Sequence, residues 1–219
     1  MKILALEFSS ARRSVAVVGV EKQTPSLEYE ISETGDRETR AFGMIDEALR
    51  LANIEREQVE CLAVGLGPGS YNGIRVALAI AQGWQLATEV KLIGISSMEC
   101  LTSQARAEGL RGRAHFIVDA QRNEIYWASF ELKDQECLSL QPLRLATPDE
   151  VKSKIQQDDL VLGPEVTKWF ARGQILQPRA SQLGILAEQR NDFIAAEKLE
   201  PIYLRETSFI KAPKPRSVL

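Results

Sequence analysis

The side chains and turns best suited to chemistry are a glycine-rich turn and two acids at strand ends. In Cys61-Leu-Ala-Val-Gly-Leu-Gly-Pro-Gly-Ser-Tyr-Asn-Gly-Ile-Arg75 an apolar run from Cys61 to Leu66 meets a glycine-rich turn, Gly67 to Gly73, and a helix is expected after it; the glycines stand at 65, 67, 69 and 73. Glycine allows positive φ and close backbone approach. A strand, a turn and a helix start in that order can form an anion or phosphate site, because the first helical N–H groups have no internal partner. Gly67, Gly69 and Ser70 are the candidate contacts. The common phosphate signatures do not fit. Gly73 is followed by Ile74 and Arg75 where Lys and Ser/Thr would be needed, and no set of these glycines completes G-x-G-x-x-G. Glu7, followed by Ser9 and Ser10, and Asp119 each end an apolar strand at a polar turn. Each is either a nucleotide-side acid or a turn residue bonded to its own backbone.

Other chemistries lack parts. His115 is the single histidine, so a paired-histidine metal site cannot form, and Ser9, Ser10 and Ser70 have no triad base. Cys61, Cys100 and Cys137 are too far apart for a zinc cluster and read as buried or idle thiols of a reducing cytosol. The expectation is therefore no catalytic residue and no metal in this chain alone.

The elements that position these residues form two related halves. Ile3 to Leu6 is an apolar strand ending in Glu7, followed by a turn through Arg12 and Arg13 and a return strand from Ser14 to Val20. Phe116 to Val118, ending in Asp119, repeats the pattern, with a turn through Arg122 and Asn123 and a return strand from Ile125 to Leu132. Each unit reads as a β-hairpin with a carboxylate closing its first strand. Between them the pattern predicts a strand at 26–32, a helix over 36–53, a strand at 61–66, a helix to Thr88, a strand at 91–95 and a helix over 97–108. Strand and helix in alternation imply parallel pairing with helices on the sheet faces. Gly109-Leu-Arg-Gly112 is the expected link between a first lobe, 1–108, and a second, 109–219. The second adds a strand at 136–146, a helix capped at Thr147-Pro148-Asp149, a strand at 160–163, helices at 165–171 and 181–197, and a frayed tail, 206–219.

The helix after the glycine turn is apolar on nearly every side. Gly73, Ala77 and Ala81 form one row of small residues, and Ala79, Gly83 and Ala87 form another; Ile74, Val76, Leu78, Ile80 and Trp84 fill the rest. Small residues in a row let another helix come close, and an all-round apolar helix must be covered on all sides. Either the chain's own sheet and its 36–53 helix sandwich this helix, or a second molecule covers part of it. The 36–53 helix offers Ala41, Met44, Ile45 and Ala48 on one face.

Composition sets limits. The 219 residues are 44% hydrophobic and 26% charged, as in soluble globular proteins, with a net charge of −3. That charge argues against a chain that holds nucleic acid unaided. The start lacks the form of a signal peptide, and no window reaches the ~18 apolar residues needed to span a bilayer. A cytoplasmic location is expected.

Gly67-Pro-Gly-Ser-Tyr-Asn-Gly-Ile-Arg75 closely resembles the Gly-Pro-Gly-Ser-Phe-Thr-Gly-Leu-Arg segment of the TsaB (YeaZ) family, relatives of the TsaD glycoproteases. Lys2 to Ser10, Gly94-Ile-Ser-Ser97, Asp119 to Ala128 and Pro201-Ile-Tyr-Leu-Arg205 are similar to other family segments in the same order, so the resemblance runs end to end. It implies an α/β fold of the actin-like ATPase (ribonuclease-H-like) kind, with two duplicated lobes of mixed sheets flanked by helices. In that superfold the hairpin acids hold nucleotide and metal, which would assign Glu7, Ser9, Ser10, Gly67, Gly69, Ser70 and Asp119 to nucleotide binding. The family usually carries Asp at the position of Glu7, and the longer Glu would displace a bound metal or water.

The resemblance further implies a non-catalytic subunit in tRNA threonylcarbamoyladenosine synthesis. Its partners would be a TsaD-type catalytic subunit and a TsaE-type ATPase, with a homodimer when alone and tRNA met through the complex. No cofactor is expected on this chain by itself; ATP is left to the complex. Pairing through the first two helices would place Ala41, Met44, Ile45, Ala48, Gly73, Ala77, Ala81 and Trp84 at the partner surface. Many members carry a histidine where this chain has Asp36-Arg-Glu-Thr-Arg40, so that histidine's role does not transfer. The alternatives are a free-standing phosphotransferase or ATPase of the same superfold, and a peptidase.

Overall fold

Every residue of β1 (Ile3–Glu7) is buried, which a strand achieves only when both sheet faces are covered. In the computed structural model, which describes residues 1–19, 29–35 and 40–205, β1 is the centre of a five-stranded sheet. Its neighbours are β2 (Arg12–Val18), β3 (Tyr29–Thr34), β4 (Cys61–Gly65) and β5 (Lys91–Ile95), in the order β3-β2-β1-β4-β5. The first three pair antiparallel, and β1, β4 and β5 pair parallel. A second sheet contains β6 (Gly112–Asp119), β7 (Ile125–Leu132), β8 (Cys137–Ala146), β9 (Leu160–Gly163) and β10 (Gln174–Ile175). Read from β8, its order is β8-β7-β6-β9-β10, with the same antiparallel and parallel halves. The duplication expected from the two hairpins is therefore a duplication of whole sheets, and the fold is the actin-like, ribonuclease-H-like one.

Among the described residues, five helices cover the sheets: α1 (Ala41–Leu51), α2 (Tyr71–Ala87), α3 (Ser97–Ala107), α4 (Pro148–Lys152) and α5 (Ala180–Glu188). On one face of the first sheet, Leu4, Leu6, Val15 and Val17 meet α1 and α2. On the other, Ile3, Ala5, Val18 and Ile93 meet Leu183 and Ala187 of α5 and Cys100 of α3. Each fully buried Leu, Ile or Val adds ~1.5–3 kcal/mol relative to exposure. Met98, Leu101 and Ala105 place the opposite side of α3 on Ala114, Phe116 and Ala128 of the second sheet. Val151 of α4, with Val166 and Phe170, covers that sheet's outer face.

Although α5 follows the second sheet in sequence, it lies on the first. The Ser14 hydroxyl oxygen accepts from Ala180 N–H at 2.8 Å, and Glu30 accepts from Ser181 N–H at 3.2 Å and from Arg179 Nε at 2.9 Å. These bonds satisfy N–H groups at the helix start and fix its approach to the sheet.

Two expected helices are corrected. The segment 165–171 holds only a 3-10 turn, Val166–Lys168, and the helix expected to reach Glu197 ends at Glu188. Beyond it Ile194 forms a bridge with Leu92 on β5 and is packed against the core. Extending α5 would carry Ile194 away from that edge. The expected starts of β3 and α1, the Asp36-to-Thr39 part of the departure noted above, and the tail 206–219 lie outside the described residues.

Candidate functional site

The glycine-rich turn and the Glu7 turn are brought together, and they spend their polar groups on each other. Glu7 is fully buried; one carboxylate oxygen accepts from Ser9 N–H at 2.8 Å and the other from the Ser97 hydroxyl at 2.9 Å. That hydroxyl in turn accepts from Gly67 N–H at 3.2 Å. Burial pushes the Glu7 carboxyl above the usual glutamate range, against the bonds from Ser9 and Ser97 that pull it down. Ser70 N–H donates to Ser9 O at 2.7 Å, and the Ser70 hydroxyl caps α2 by accepting from Gly73 N–H. A Cβ on Gly65 would strike the Glu7 carboxylate, one on Gly69 the Ser9 carbonyl, and one on Gly73 the Phe8 carbonyl. These glycines bring the turn onto the hairpin rather than around a cavity. Ser9 and Ser10 are buried, and the Ser10 hydroxyl donates to Arg12 O at 2.8 Å.

Asp119 sits apart, on the second hairpin. One oxygen accepts from Gln121 N–H at 2.7 Å and the other pairs with Lys168 at 2.8 Å. Burial raises the carboxyl of neighbouring Glu165 above its ordinary range. Among the described residues, no three histidine, cysteine or acidic side chains gather as a metal site would need. Cys137 lies beside a cleft of about 450 Å³ between α3 and the β7–β8 hairpin. Burial raises its thiol, raises Cys100 further, and takes Cys61 to about 12, so all three stay protonated at neutral pH.

The residues expected at a partner surface lie inside the chain's own core. Ala41, Met44, Ile45, Ala48, Gly73, Ala77 and Ala81 are buried in the chain's own core, with Trp84 packed partly against it. The row Gly73-Ala77-Ala81 lets α2 lie close to its own sheet. Exposed on α1 are Phe42 (63%) and Gly43, and on α2 Val76 (37%), Leu86 (87%), Ala79, Gly83 and Ala87. Ala79, Gly83 and Ala87 are the second small-residue row of the sequence; Phe42 and Leu86 join neither row.

Residues 37–218 match the family described as TsaD, tRNA N6-adenosine threonylcarbamoyltransferase. The Haemophilus influenzae protein named tRNA threonylcarbamoyladenosine biosynthesis protein TsaB is 30% identical, over 97% of this chain and 98% of the relative. The Escherichia coli protein of the same name is 26% identical, over 94% and 95%. The chain belongs to the TsaB family, and through it to the TsaD-type family. A solved Pseudomonas aeruginosa structure, described as an uncharacterized protein with similarity to peptidase YeaZ, superposes with a TM-score of 0.79 at 25% identity, covering 93% of this chain and 99% of the other. A second structure, YeaZ from the same organism, has a TM-score of 0.78 at 24% identity and speaks for the fold.

The segments similar to TsaB proteins, scattered along the chain, meet in space. Glu7 bonds Ser97, Ser9 bonds Ser70, Ile202 N–H donates to Leu66 O, and Arg205 reaches Ala120 O. The TsaB-like residues thus form one continuous seam across the two lobes. Sequence reading missed Ser97 as a contact because only the fold brings it to Glu7.

Proposed function

We propose that this chain is the non-catalytic partner subunit of a complex that makes threonylcarbamoyladenosine in tRNA, where it stabilises and positions a TsaD-type catalytic subunit. The observation that carries the reading is the sealed turn. Where an active member of the superfold would hold phosphate, Glu7, Ser9, Ser70 and Ser97 satisfy one another and the glycines close the space. Catalysis needs a positioned acid, base or metal within reach of substrate, and a carboxyl buried in this way reaches none. The relatives' names supply the pathway. The exposed apolar face of α1 and α2, from Phe42 to Leu86, is the docking surface we assign to the TsaD-type subunit, since a face of this kind marks an interaction site.

The test is reconstitution with TsaD-type and TsaE-type proteins, tRNA and the threonylcarbamoyl donor. Modification is expected with this chain present and is expected to fall to background without it. Robust modification in its absence overturns the reading, and steady ATP turnover by the chain alone favours a free-standing phosphotransferase.

A further inference from the structure

The motif Pro201-Ile-Tyr-Leu-Arg205 has no part in the sealed turn or the helix face. Where it passes the end of β4, Tyr203 lies on Tyr71, the first residue of α2; the ring centroids are 5.5 Å apart and the planes 24° apart. Both rings are about half open to water. Arg75, one turn along α2, donates to the Tyr71 hydroxyl at 2.7 Å and places its guanidinium 5.1 Å from that ring's centroid. Arg205 donates to Ala120 O at 2.9 Å and to the Glu124 carboxylate at 2.5 Å. It thereby braces a turn in which Gln121, Arg122 and Asn123 all have positive φ, at 61°, 56° and 59°. Side chains crowd their own backbone in that conformation, and it survives only where the surroundings hold it. Its effect is to present Arg122, exposed, in the turn that Arg205 holds.

Half-exposed stacked rings edged by the Arg75 guanidinium are suited to an unpaired base, with arginine on the flanking phosphates. Charge favours the same occupant. The neighbouring acids Glu124 and Asp119 are engaged by Arg205 and Lys168. The geometry points to the Tyr71–Tyr203 surface as a docking place for single-stranded RNA, with a base on the tyrosines and phosphates on Arg75 and Arg122. The inference rests on the proposed role beside a tRNA-modifying subunit and deepens it: the net charge of −3 leaves the main hold on RNA to that subunit, and this chain adds a weak local contact of its own.

The full chain is titrated into a fluorescein-labelled RNA stem–loop, with a fully paired duplex of equal length as control, and anisotropy is read at low and at physiological salt. Tighter binding of the stem–loop is expected. Tyr71→Ala and Tyr203→Ala should each weaken it by about 5- to 100-fold, the span of one lost base stack, while Tyr71→Phe and Tyr203→Phe keep it. Arg122→Gln should weaken binding and flatten its salt dependence. Equal affinity for stem–loop and duplex, or alanine variants that bind as tightly as the parent, overturns the inference. Sedimentation of the same variants with the TsaD-type subunit separates the two claims. If they lose that subunit but keep RNA, the surface is a protein interface, and the inference fails while the proposed function stands. If the parent chain is dispensable in reconstitution, the proposed function fails whatever the anisotropy reads.

Discussion

At the scale of single residues, Glu7 sets a pH signature. Its carboxyl is raised by burial, so the native state keeps a proton that the unfolded chain has already released. That contribution to stability is full below the ordinary glutamate pKa and is lost as pH rises through the raised value. Glu7→Gln is neutral throughout. The variant's melting temperature minus the parent's should therefore be more positive at pH 8 than at pH 4, by about 2–4 °C for each 1 kcal/mol in a chain of this size. A difference that does not change with pH would refute this account. Ser97→Ala should cost ~1–3 kcal/mol, because it strands a buried carboxylate oxygen and the Gly67 N–H together; thermal melting at pH 7 reads it directly. Glu7 was legible in the sequence as an acid at a strand end. Its enclosure was not, because Ser97 lies ninety residues away and only the β1–β4–β5 pairing brings it close.

At the scale of elements, α2 has two faces that look alike in sequence and differ in consequence. Ala77 and Ala81 are fully buried against the sheet, so Ala77→Glu should unfold the chain, combining overpacking with an unpaired buried charge. Ala79→Glu, on the exposed face, should leave the melt unchanged and break association with the TsaD-type subunit; a soluble variant that still associates would move the docking surface elsewhere. The glycines divide in the same way. Gly73→Ala meets the Phe8 carbonyl, whereas nothing lies within 4 Å of a Cβ on Gly83. Gly83→Ala should therefore stabilise the isolated chain by ~0.5–1 kcal/mol through helix propensity alone, measured by urea midpoint. Boundaries of β4, β5 and α3 and the end of α2 were legible to within a residue, but α2 begins at Tyr71, inside the expected Gly67-to-Gly73 turn, because the Ser70 hydroxyl caps it there. The inward face of α2 was not legible, because small residues line both sides and periodicity cannot rank them. The end of α5 was misread because Ile194 continues an apolar pattern while serving the edge of β5.

At the scale of the whole molecule, the lobes are joined by more than the turn at 109–112. Because α5 closes the face of the first sheet that holds Ile3, Ala5, Val18 and Ile93, residues 1–108 made alone should be insoluble or lack a near-ultraviolet circular dichroism signal. The full chain should melt in one transition by calorimetry; two separated transitions would show that α5 does not couple the lobes. The same placement orders events during synthesis. The first sheet can pair its strands once Ile95 has left the ribosome, but its lid arrives only with Glu188. At ~5–20 residues per second that is a delay on the order of 5–20 s. Throughout it, one apolar side of a nascent lobe stands open to whatever chaperone waits at the tunnel exit.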